Sequence, residues 1–140
     1  MAQKIANAIV LVVGLGIIYV GANFLLGPDA AATGYGVPAS SAGDAGAYLA
    51  VKGIRDVASG LVLLTLMALG QRRAMGWVLL AMTVIPLTDG LIVLTHDGSV
   101  AAAFGWHFST AAVMLVGVSL ILSGAPKPAG HAKQPSVQST

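Results

Sequence analysis

Four long apolar runs divide the chain, at Ile5 to Leu26, Ala45 to Leu69, Met75 to Leu94 and Val100 to Leu122. A hydrocarbon core about 30 Å thick takes about 20 helical residues, and lipid cannot satisfy exposed backbone groups. Each run therefore predicts a membrane-spanning helix. The first is too long for the apolar centre of a signal peptide and reads as a retained span.

The connections differ in kind. Gly27 to Asp44, "GPDAAATGYGVPASSAGD", is long for a link between helices and rich in Gly, Pro, Ser and Ala, which makes it a candidate lid. Gln71 to Arg73 and His96 to Ser99 are tight turns, the second with an Asp97-Gly98 turn signal and Ser99 as helix N-cap. Beyond Gly124 no apolar period continues, so residues 125–140 are expected to form a disordered tail after a membrane domain at 1–124.

Composition supports the pattern. Of the 140 residues 56% are hydrophobic and 9% charged, with no Glu, too few polar groups to cover a soluble domain. Lys4, Arg72, Arg73, Lys127 and Lys133 fall on one side of the four spans, and Asp29, Asp44 and Asp97 on the other. The positive-inside rule then puts both termini in the cytoplasm. The expected fold is an all-α, four-transmembrane-helix bundle, multi-pass in the cell (inner) membrane. Seven scattered Lys and Arg make no basic stripe, which argues against nucleic acid. The absence of cysteine excludes disulfides, thiolate nucleophiles and cysteine-based quinone reductases.

Small residues recur along the spans at Gly14 and Gly21, Gly53 and Gly60, Ala101, Gly105 and Gly117, as helix packing in lipid favours. The charges are less expected. At about 1.5 Å per residue, Lys52 lies about 10 Å below the outer edge, Arg55 and Asp56 about 15 to 17 Å, Asp89 about 8 Å and His107 about 10 Å. Every ionisable group within the spans thus lies in the outer half or at the midplane.

Tyr48, Lys52, Arg55, Asp56 and Ser59 recur at helical spacing, which predicts one polar face turned into the bundle, since a charge facing lipid at the bilayer centre costs about 2.5 to 3.5 kcal/mol. Lys52 and Asp56 form an i, i+4 pair, and Arg55 is expected to fork onto Asp89 across the helices, giving a formally neutral cluster. His107 is the group able to change charge near neutrality. Pro86, one turn before Asp89, predicts a kink that frees the Met82 carbonyl and opens space.

This constellation supports acid/base chemistry by Asp56, Asp89 and His107 with Arg55 orienting an anion, and ligand contacts from Tyr48, Lys52, Asn23 and Trp106. The soluble limonene-type epoxide hydrolases offer an analogy in their Asp-Arg-Asp arrangement. No cofactor or metal is expected. His107 is the one intramembrane His, too few for a bis-His haem; His107, Asp89 and His96 could supply three zinc ligands in principle, but a zinc site is the poorer reading. Three readings stay open. One is a pocket for a small apolar or amphipathic ligand, with hydrolase or isomerase chemistry upon it. Another is a small proton-coupled transporter, for which a homodimer would supply more spans; the last is a membrane scaffold whose ion network only fixes helix register.

"KGIRDVASGL" in the second span, "TDG" in the third and a His early in the fourth resemble a family of small bacterial and fungal four-span membrane proteins known as a domain of unknown function. More distantly the chain is similar to DoxX-type four-helix membrane proteins. The resemblance covers about Ile5 to Leu122, with Gly53, Arg55 and Asp56 its most specific element. It implies a four-helix bundle and points to Arg55, Asp56, Asp89 and His107.

Overall fold

The computed structural model describes residues 1–36 and 45–124; the expected tail at 125–140 and the second part of the expected lid lie outside the described residues. All elements of the described residues are helical: α1 (Ala2–Leu26), α2 (Pro28–Tyr35), α3 (Gly46–Ala68), α4 (Arg72–Met82), α5 (Val84–Thr95), a short α6 (Val100–Ala102), a π-helical turn (Ala103–Phe108) and α7 (Ser109–Ser123). Three helical segments are long and apolar enough to cross a membrane, namely α1, α4 with α5, and α6 through α7. α3 matches them in length with 23 residues but carries Lys52, Arg55 and Asp56.

Glycine seats α3 on α1. A Cβ added at Gly21 would lie 2.5 Å from the Gly53 carbonyl oxygen, and one added at Gly60 would lie 2.5 Å from the Gly14 carbonyl oxygen. Both pairs are seven residues apart along their helices, so the small face returns after two turns and holds the backbones close over that length.

The core fills one end of the bundle. Ala6, Val10, Leu63, Leu79, Met114 and Ile121 are almost fully buried there, on the side of Met1 and the Gln71 turn. α1 meets α7 at this end, where a Cβ on Gly117 would come 2.9 Å from Ile9.

The opposite end is organised by interruptions. The helix from Arg72 breaks at Thr83, three residues before Pro86, as expected for a ring that cannot donate to the preceding turn. The buried Thr83 hydroxyl donates to the Leu79 carbonyl at 2.9 Å, tying off the end of α4. Ser99 caps the next helix by accepting from the Ala102 N–H at 3.2 Å, as its position in the sequence suggests. The Ser99 N–H in turn donates to the Gly36 carbonyl at 3.1 Å, which fastens the end of α2 to the start of the last long helix.

Candidate functional site

At that second end the helices border a partly open cavity of about 970 Å³. α2 lies over it, with Ala30, Ala31, Gly34 and Tyr35 in its wall. The segment read from sequence as a loop is thus partly a helix, started by Pro28 at its first turn and Asp29 beside it and closed by Gly36 in the left-handed region at φ 105°. Those signals were present in the sequence, and they place Tyr35, a residue that composition alone did not single out.

Tyr35 stands at the centre of the polar end. Its hydroxyl donates to Asp89 Oδ2. Its ring meets Phe24 edge-on at 5.5 Å and His107 at 4.4 Å between centroids. The His107 Nε2–H donates to the Tyr35 carbonyl at 3.0 Å, since a carbonyl only accepts. In the neutral ring that bond fixes the tautomer, with Nδ1 as the acceptor. Burial pushes the Tyr35 phenol well above its ordinary range, and the Asp89 carboxylate beside it acts in the same direction, so the group stays a neutral donor.

Lys52 supplies the cation. Its ammonium binds Asp56 Oδ2 at 2.7 Å, the i, i+4 pair expected from the sequence. It also lies 4.5 Å from the centre of the Tyr35 ring and 4.8 Å from that of Phe24, within range of both π faces. Asn23 and Trp106 line the same cavity, Asn23 with its amide donating to the Tyr19 carbonyl at 2.8 Å.

Two expectations are corrected. Arg55 does not fork onto Asp89: it is exposed, does not line the cavity, and makes no ion pair among the described residues. Tyr48 is 81% exposed and likewise lies outside the cavity wall. The cause is the rotation of α3. Gly53 and Gly60 must face α1, and at 3.6 residues per turn Arg55 then lies about 160° and Tyr48 about 140° from Gly53, against about 60° for Asp56. The polar face predicted for this helix is therefore split, with Lys52, Asp56 and Ser59 inward and Arg55 outward. Without Arg55 the described cavity wall carries one ammonium and two carboxylates, and is formally negative rather than neutral.

His107 lies on the π-helical turn, which the sequence reading did not anticipate. A π turn widens the helix by one residue and re-aims the side chains on it, a device found often at functional sites. Here it leaves His107 only 6% exposed, against the lid, while Trp106 on the same turn is 68% exposed at the cavity edge.

The glycines fall into two kinds. Gly14, Gly21, Gly53 and Gly60 have backbone or side-chain atoms where a Cβ would go, whereas Gly16, Gly34 and Gly105, all in the cavity wall, have nothing within 4 Å. The first kind lets helices touch. The second keeps the space between them clear.

The architecture defines a helical membrane protein whose polar side chains gather at one end of a cavity between its helices. The chain belongs to the family described as a domain of unknown function, DUF4267, whose match covers residues 14–122. None of the curated proteins and none of the solved structures matches it.

Proposed function

We propose that this is a four-span protein of the cell membrane, with both termini cytoplasmic, that holds a small amphipathic ligand in its cavity. The observation that carries the reading is the division of the cavity wall. Tyr35, Asp89, His107, Lys52 and Asp56 gather at one end, and the rest of the wall is mainly apolar. An apolar cleft of this size with a few convergent polar groups is the usual form of a small-molecule site. α3 counts as the fourth span because its two inward charges pair with each other inside the bundle. The basic residues at Lys4, Arg72 and Arg73, against the acidic Asp29 and Asp97 at the other end, support the orientation.

Acid/base chemistry on the ligand is the sharper form of the same reading. It is supported by the Tyr35 and Asp89 pair, a neutral phenol donor against a carboxylate, the two roles that proton transfer needs.

The test is binding of dodecanol to the purified protein in phosphatidylcholine nanodiscs, by native mass spectrometry. The wild type is expected to retain one molecule per chain. Gly105→Leu, which fills open space, is expected to keep its helicity and lose the ligand. Equal retention by the folded Gly105→Leu protein, or no retention by the wild type, would overturn the reading.

A further inference from the structure

α1 and α7 run antiparallel and touch where Ile9 meets Gly117. Counting away from that contact at about 1.5 Å per residue, Gly16 comes level with Thr110 and Val20 with Trp106. All four line the cavity, so the two helices stand apart above their contact with the cavity between them. Tyr19 and Trp106, on the two sides of this gap, are 70% and 68% exposed. The core closes the cavity below and α2 covers its end, which leaves a slot facing sideways. In a membrane that slot faces lipid.

The charges in the wall select what enters. Asp56 is already paired with Lys52 at 2.7 Å, whereas Asp89 has only the neutral Tyr35 hydroxyl as donor among the described residues. Arg55, the cation that would have balanced Asp89, is turned to the other side of α3. A carboxylate ligand would meet two carboxylates and one committed lysine. An ammonium would meet a carboxylate that has no cation among the described residues, beside the aromatic rings of Tyr35 and Trp106, in a wall that already holds one ammonium over two rings. The distance from the level of Asn23 down to that of Val12, about 16 Å at the helical rise, gives an attached chain room along the apolar wall.

Resting on the reading that the cavity binds a ligand, we propose that this ligand is a single-chain amphipath with an ammonium head, that it slides in from the bilayer between α1 and α7, and that its head rests on Asp89. The ammonium can belong to a membrane-resident lipid or to a lipophilic amine from the medium. The route of uptake separates the two.

Trp77→Phe leaves Trp106 as the lone tryptophan, a reporter in the cavity wall. In phosphatidylcholine nanodiscs its emission is titrated with dodecylamine, dodecanol and dodecanoate, which share one chain and differ in head. Dodecylamine is expected to bind at least tenfold more tightly than the other two, and Asp89→Asn to erase that preference while keeping dodecanol. Equal affinities, or dodecanoate bound best, would overturn the ammonium head and leave the cavity reading standing. If none of the three binds, the cavity reading itself fails. Should Asp89→Asn not fold, the ranking on the otherwise native protein decides. For the route, Gly16→Cys with Thr110→Cys is bridged by a bismaleimide, a clean reaction in a chain without cysteine. Bridging is expected to slow dodecylamine uptake at least tenfold relative to the unbridged pair. An unchanged rate would overturn the lateral slot and point to uptake from water past α2.

Discussion

The Tyr35 hydroxyl donates a hydrogen bond to Asp89, and so holds the short helix over the cavity to the helix bent at Pro86. Tyr35→Phe keeps the ring that packs on Phe24 and His107 but leaves Asp89 without its donor. The expected cost is about 1 to 3 kcal/mol, that of an unmade hydrogen bond at a partly buried polar group. Faster amide exchange confined to Pro28–Tyr35 and the Asp97 turn is the measurement that separates a loosened lid from general unfolding.

The same phenol makes stability depend on alkaline pH. Burial, and then the charge of Asp89, raise its folded value above the ordinary 10.0. The folded protein keeps a proton that the unfolded chain gives up, so this contribution is complete below pH 10.0 and falls as pH rises beyond it. Unfolding midpoints taken across that range should decline for the wild type, and less steeply for Tyr35→Phe.

Lys52 and Asp56 should behave as a unit. Their side chains are 28% and 14% exposed, and Lys52→Met leaves Asp56 in the cavity wall with no cation, at an expected cost of about 3 kcal/mol. Lys52→Met combined with Asp56→Leu should recover most of that loss. A double-mutant cycle read by thermal unfolding in detergent measures the coupling.

Arg55 should behave in the opposite way. It is exposed halfway along α3 and makes no ion pair among the described residues. If α3 is the fourth span, as proposed, Arg55→Leu should leave binding in the proposed site unchanged and stabilise the protein in a bilayer by up to about 3 kcal/mol, the cost of a cation facing lipid near the centre of a span. Unfolding compared in nanodiscs and in detergent checks this, since detergent relaxes the cost.

Glycine substitutions should sort by surroundings. Gly21→Leu drives a side chain into the Gly53 backbone and should cost at least about 3 kcal/mol, the upper range for overpacking. Gly16→Leu, two residues along from the Gly14 contact, meets open space and should leave the unfolding midpoint nearly unchanged.

These contrasts show what the sequence made legible. Length and apolarity were enough for the long helices, because the bilayer sets both. The Gly14, Gly21, Gly53 and Gly60 contacts and the Lys52 and Asp56 pair followed from spacing along single helices. The partner of Asp89 is not legible in this way: the glycine contacts with α1 rotate α3 so that Arg55 turns outward, and the donor comes instead from Tyr35 on α2. Tyr35 does not stand out because a segment rich in Gly and Ala hides a helix of about two turns marked by Pro28, Asp29 and Gly36. The π turn has no compositional signature, as "AFGWHF" fits an α-helix equally well.

Gly16, Gly34 and Gly105 give the cavity an unusual independence from the scaffold around it. Size and shape are adjustable at three points, one on each of three walls, by single substitutions that disturb no helix contact. On the proposed reading of the cavity as a binding site, such a chain can exchange one occupant for another in small steps, with the glycine seam between α1 and α3 as the part that must stay fixed.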